Sequence, residues 1–103
     1  MDLRLLRAFV TVARCGNFGA AAGELATSQP ALTKQIQLLE RRLGSALFSR
    51  GRHGARLTSA GELLLSDAVD LLARADAFER RAVQVASGVR AGGSEPPGSL
   101  TPR

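Results

Sequence analysis

The sequence predicts a mainly α fold: three short helices, a β-hairpin, then one long helix. Three observations point to it. Apolar residues recur at helical spacing over residues 3–15 and again after Pro30, with an alanine-rich run between. Residues 47–58, "LFSRGRHGARLT", set two short β-like runs around a glycine-flanked turn. From Leu64 to Val85, apolar residues return at alternating spacings of 4 and 3.

The first helix, "LRLLRAFVTVARC" (3–15), places Leu5, Leu6, Phe9, Val10 and Ala13 on one stripe and leaves Arg4, Arg7 and Arg14 off it. Gly16 suits a left-handed stop, and Asn17 is a good N-cap for the next helix. That second helix, "FGAAAGEL" (18–25), is short and can pack closely. Gly19 and Gly23 weaken it, by ~1 kcal/mol each relative to alanine where exposed. It therefore depends on packing, with Phe18, Ala21, Ala22 and Leu25 as the expected buried positions.

Pro30 stands nearly in the middle of "GELATSQPALTKQIQLLERRLG" (23–44) and would break a single helix there. With Ser28 as N-cap, however, it falls in the first turn of a new helix, where its missing N–H has no intrahelical partner anyway. Ala26 and Thr27 are then the connecting turn. The third helix runs to about Leu43 and is stopped by Gly44, with Leu32, Ile36, Leu39 and Leu43 facing inward. Its outward face carries Pro30, Lys34, Gln37 and Arg41, with Thr33 on the shoulder and Gln29 at the leading end. Solvated helices favour Glu–Lys pairs. Neutral hydrogen-bonders with one cation are instead the types that reach base edges and phosphates, although polar faces are also common on plain surfaces.

In the hairpin, Gly51 and Gly54 supply turn conformations, Phe48 and Leu57 pin it to the core, and Arg50, Arg52 and Arg56 project. Helix–turn–helix followed by a basic hairpin is the winged helix-turn-helix layout, in which the recognition helix enters the major groove and the wing follows the backbone or a minor groove.

The last helix opens at Ser59-Ala60-Gly61-Glu62, which has capping-box spacing; Thr58 is an equally good cap. It continues to about Ser87. Leu64, Ala68, Leu71, Ala75, Phe78, Ala82 and Val85 make a three-heptad seam in which large residues alternate with alanines. At 1.5 Å per residue, ~28 residues extend about 42 Å, longer than so small a domain is wide. Self-association through the seam is favoured over packing on the chain's own core. The expected organisation is a winged domain over 1–58, a linker and dimerisation helix over 59–87, and a flexible Gly/Pro/Ser-rich tail over 88–103.

Charge supports an anionic partner. Residues 1–58 hold nine Arg or Lys against three acids, net +6, and residues 59–103 five against six, net −1. The basic half suggests nucleic acid before membrane, because no helix carries a uniformly basic face. No apolar run approaches the ~18 residues of a membrane span. The N-terminus lacks the basic-then-apolar pattern of a signal peptide, and Cys15 has no partner for a disulfide, so a cytoplasmic location is expected. With one Cys, one His, and neither Tyr nor Trp, no nucleophile–base set and no metal-ligand cluster can be assembled. No enzyme, metal or cofactor is expected.

Across residues 1–90 the chain resembles the N-terminal region of LysR-type transcriptional regulators. The matching residues are "LRAFVTVARCGNFGAAAGELATSQPALTKQIQLLERRLGSALFSR" followed by "RLTSAG". Such proteins show Ser-Gln-Pro-Ala-Leu-Ser-x-Gln-Ile at the recognition helix, Leu-Glu-x-x-Leu-Gly at its end, Leu-Phe-x-Arg in the wing and Leu-Thr-x-Ala-Gly before the linker helix. The resemblance implies that Gln29, Pro30, Thr33 and Lys34 read bases. It implies that Arg50, with Arg52, His53 and Arg56 of the wing, meets the backbone or minor groove, and Asn17, Ser28 and Gln37 are assigned to that second group. It further implies a homodimer on double-stranded DNA, with higher oligomers in a full-length protein.

Departures bear on specificity. Thr33 and Lys34 stand where serine and arginine are commoner, and lysine replaces a bidentate guanine contact by a point charge. His53 takes a position that often holds arginine, which leaves open whether it or Arg52 enters a minor groove; it is read as a solvated tip rather than a pH switch. Thr27 replaces an apolar residue and is expected to loosen the turn. The family's metabolite-sensing domain of two α/β lobes would begin where this chain stops, so no small-molecule ligand is expected here. The competing reading is a helical protein–protein interaction module that heterodimerises through the 64–85 seam.

Overall fold

The structure, a computed structural model, describes residues 1–51 and 54–92, with side chains as far as residue 88. Arg52, His53 and the tail beyond Gly92 lie outside the described residues.

Side-chain oxygens fix the helix starts. Asp2 caps α1 (Leu3–Cys15) by accepting from the Arg4 N–H at 2.9 Å. The Arg4 side chain, then its backbone N–H, hold the Asp2 carboxyl below its usual range. That contact is therefore complete at neutral pH and is lost only as pH falls through the lowered carboxyl value. Asn17 caps α2 (Phe18–Glu24) through the Ala20 N–H at 2.8 Å. Ser28 caps α3 (Gln29–Leu43) through the Ala31 N–H at 3.1 Å, with Pro30 in the first turn as the sequence predicts. Gly16 and Gly44 end α1 and α3 at φ 71° and 73°.

Backbone hydrogen bonds close the turn between α2 and α3. The Thr27 N–H donates to Ala22 O at 2.9 Å and the Ala26 N–H to Gly23 O at 3.2 Å. Closure forces Ala26 to φ 55°, a left-handed conformation that costs a non-glycine residue about 1–2 kcal/mol.

β1 (Phe48–Gly51) and β2 (Gly54–Leu57) pair antiparallel, Phe48 opposite Leu57 and Arg50 opposite Ala55. This wing is anchored at both ends. The Ala55 N–H donates to Gly16 O at 3.2 Å, and a Cβ on Gly54 (φ 97°) would sit 2.5 Å from that same oxygen. At the base, the Glu40 carboxylate of α3 accepts from the Leu47 and Phe48 N–H groups at 2.7 and 3.3 Å.

Thr58, not Ser59, is the cap of α4 (Ser59–Gly92). Its hydroxyl donates to Ala46 O at 2.6 Å and accepts from the Gly61 N–H at 3.0 Å. Gly61 touches the chain behind it: a Cβ there would overlap Leu47 O and lie 2.9 Å from Leu57 Cδ2. Gly61→Ala is accordingly expected to lower stability by about 1–3 kcal/mol, read as an earlier midpoint in urea unfolding. An unchanged midpoint would contradict that close approach.

The chain divides into two units, Met1–Leu72 and Ala73–Arg103. The core of the first gathers Leu5, Leu6, Phe9 and Val12 of α1, Phe18 and Ala21 of α2, Leu32, Ile36 and Leu39 of α3, Leu47, Phe48, and Ala68 and Leu72 of α4. α1 packs against α2, α3 and β2, so it buries more than one stripe. Ala8, Thr11 and Val12 are buried, while the expected Val10 and Ala13 are half-buried. Leu25 is half-buried, and Leu43, in the last turn of α3, is 38% exposed rather than inward. In the second unit Phe78, Val83 and Val85 are exposed.

The last helix ends later than expected. It passes Ser87 and continues to Gly92. Gly88 costs only ~1 kcal/mol relative to alanine, and the first prolines beyond it are Pro96 and Pro97. Residues 88–92 thus belong to the helix, not to a tail.

Candidate nucleic-acid interface

Local chemistry aims the first turns of α3 outward. Ser28 and Pro30 fix where the helix begins, and burial of Leu32, Ile36 and Leu39 fixes its roll. Gln29, Pro30, Lys34 and Gln37 are then exposed, with Thr33 half-buried on the shoulder. Asn17 and Ser28 are exposed as well, but each already spends an oxygen on a helix cap. What Asn17 has left is its amide NH₂, a donor suited to an anion.

The wing is two-sided, a property that register decides. Successive strand residues alternate faces. Arg50 shares a face with Phe48 and its partner Leu57, whereas Arg56 lies opposite Ser49 on the other. The Arg50 guanidinium carbon stands 3.9 Å from the centroid of the Phe18 ring. A cleft of about 270 Å³ between the start of α3 and the wing is lined by Asn17, Phe18, Gly19, Gln29, Arg50 and Gly54, among others. Three of the expected contact residues, Asn17, Gln29 and Arg50, therefore converge on one cleft. Lys34, Gln37 and Arg56 do not line it.

Electrostatics leave these cations uncommitted. Arg4 pairs with Asp2, and Arg14 with Glu24. Lys34, Arg50 and Arg56 form no ion pair among the described residues. Two residues at the cleft were not foreseen from the sequence. Gly19 lies where a Cβ would come 3.1 Å from Asn17 Oδ1, the oxygen that caps α2, and at an ordinary contact distance of 3.4 Å from Gln29 Oε1, so its small size spares the cap oxygen a tight contact. Phe18 underlies Arg50. The Phe18–Arg50 contact has no local sequence signal, since it joins elements distant in the chain.

The heptad seam divides. Leu64 packs against the core of its own unit and Ala68 is 3% exposed within it. Leu71, Phe78 and Val85 are 53%, 71% and 50% exposed, Ala75 is half-buried and Ala82 exposed. Among the described residues no cluster of His, Cys, Asp or Glu could hold a metal, and no helix is long and apolar enough to cross a membrane.

Residues 3–62 match the family model described as bacterial regulatory helix-turn-helix protein, lysR family. The chain is 48% identical over 88 residues to the HTH-type transcriptional regulator TfdT of Cupriavidus pinatubonensis (strain JMP 134 / LMG 1197), covering 85% of this chain and 39% of that protein. The chain thus spans about two-fifths of that relative's length. The solved CbnR DBD–DNA complex superposes with a TM-score of 0.79 at 42% identity, over 84% of this chain and 99% of that one. The BenM DBD complex with catB site 1 DNA gives 0.81 at 39% identity, over 85% and 99%.

Proposed function

The chain belongs to the lysR family of bacterial regulatory helix-turn-helix proteins, and from that premise we propose that it binds double-stranded DNA sequence-specifically, as the DNA-binding domain of a LysR-type transcriptional regulator. The observation that carries this reading is the convergence of Gln29 at the head of α3 and Arg50 of the wing on one cleft, with Lys34 exposed one turn further along α3. A helix that offers Gln29, Thr33 and Lys34 to a major groove can engage adenine, a thymine methyl and guanine acceptors respectively. Arg50, Arg56, Gln37 and the caps Asn17 and Ser28 then hold phosphates on either side.

The working form is a cytoplasmic homodimer. Residues 1–58 supply the DNA-binding part, and the long helix beyond them joins two copies through Leu71, Ala75, Phe78, Ala82 and Val85. Exposure of Leu71, Phe78 and Val85 supports this part.

Repeated selection of the chain's bound fraction from a pool of randomised duplexes tests the proposal. The expected result is enrichment of a motif with two related half-sites, because a two-fold dimer meets the duplex twice. A pool that stays random after selection would favour the alternative, a protein-interaction module acting only through the helical seam.

A further inference from the structure

Three of the chain's four phenylalanines form a series. Phe9 meets Phe48 edge to face, with centroids 5.7 Å apart at 74°. Phe48 meets Phe18 in the same way, at 5.8 Å and 75°. The series starts at Phe9, 1% exposed, and ends at Phe18, 7% exposed, directly beneath Arg50. Phe18 belongs to α2 and Arg50 to β1, so a ring rooted in the core lies under a cation of the wing.

The chemistry of that contact differs from ordinary packing. The face of an aromatic ring is electronegative and attracts a guanidinium within about 6 Å of the centroid. The interaction leaves the N–H donors of Arg50 without an acceptor among the described residues. An arginine side chain free in solvent must freeze several rotatable bonds to meet a phosphate. One already laid on a fixed ring gives up less freedom at that moment. Leucine at position 18 could fill much of the same core volume, but it has no electronegative face.

We propose that Phe18 is a positioning residue for DNA binding: its ring holds the Arg50 guanidinium at the mouth of the cleft, beside Gln29, where it meets a phosphodiester of the bound duplex. The proposal rests on the reading of the chain as a duplex DNA binder. It gives the first residue of α2 a role in the wing's contact, made through Arg50 and not by touching DNA.

The test is a double-mutant cycle on the full chain, with a mixed-sequence duplex as probe. Affinity is measured for the parent, Phe18→Leu, Arg50→Ala and the double variant, and for Phe18→Tyr, which keeps the ring. Phe18→Leu is expected to weaken binding about two- to fivefold per engaged wing, the scale of a partly exposed cation–π contact. It should add nothing in the Arg50→Ala background, and Phe18→Tyr should bind as the parent does. Equal losses from Phe18→Leu in both backgrounds would mean that the ring only shapes the wing, and would overturn the proposal. So would parent-like binding by Phe18→Leu.

Proton NMR of the free parent chain supplies a readout that needs no variant to fold. The Arg50 δ-methylene protons should be shifted upfield by the ring current, and unshifted protons would overturn the proposal. A parent that binds no duplex would overturn the DNA reading and the proposal with it. A parent that binds while the cycle shows no coupling removes the proposal alone.

Discussion

Raising salt from 50 to 200 mM is expected to weaken duplex binding by about three to five orders of magnitude. The scale follows from counterion release: a dimer that neutralises roughly six to ten phosphates frees that many condensed ions, and log K falls by about 0.9 per contact for each unit of log salt. The cations are present and available. Residues 1–58 carry a net charge of +6, and Lys34, Arg50 and Arg56 have no carboxylate partner among the described residues. Fluorescence anisotropy of a labelled duplex across the salt range measures the slope. Arg56→Ala should make it shallower by about one per copy of the chain bound if that exposed side chain makes the one phosphate contact proposed for it. An affinity that stays flat over the range would rule out the electrostatic account.

Phe78→Asp is expected to convert the chain from dimer to monomer. Phe78 is 71% exposed and takes no part in the core cluster, so its loss leaves the fold of one copy intact. In a paired seam the same change buries a carboxylate without a partner, at a cost of several kcal/mol, and it does so once in each copy. Sedimentation should show a monomer with unchanged helical circular dichroism. DNA affinity should fall toward that of a single half-site, because linkage raises the effective concentration of the second reader. A variant that sediments as the parent does would mean that the exposed face has another use. Phe78 isolates this effect better than Leu64 or Ala68, whose packing within one copy would confound the measurement.

The parts of the fold that a short stretch of chain decides were legible in the sequence. Ser28 before Gln29-Pro30 marks a helix start because a hydroxyl cap and a proline lacking N–H are both satisfied only there. Gly16 and Gly44 mark stops for an equally local reason. Long-range choices were not legible. A heptad repeat records that one face is apolar, but not whether the same chain or a second copy covers it, and Leu64 and Ala68 turned out to face their own core. Thr58 wins the cap of α4 over Ser59 because its hydroxyl also reaches Ala46 O, which only the folded hairpin brings near.

The interface divides along the same line. Exposure of Gln29, Lys34 and Gln37 follows from helix periodicity, whereas the opposite faces of Arg50 and Arg56 follow from strand register. The Phe18–Arg50 contact joins elements that no spacing rule connects.

In the proposed complex α3 reads base sequence while the wing holds the backbone. Competition binding of the parent, Gln29→Ala and Lys34→Ala on a selected duplex and on its scrambled counterpart tests it most directly, at one fixed salt concentration. The parent should prefer the selected duplex by about a thousandfold or more. Each alanine should cost about 1–3 kcal/mol on the selected duplex and little on the scrambled one. If Gln29→Ala and Lys34→Ala weaken both duplexes equally, α3 is a clamp rather than a reader, and the account of this interface is wrong.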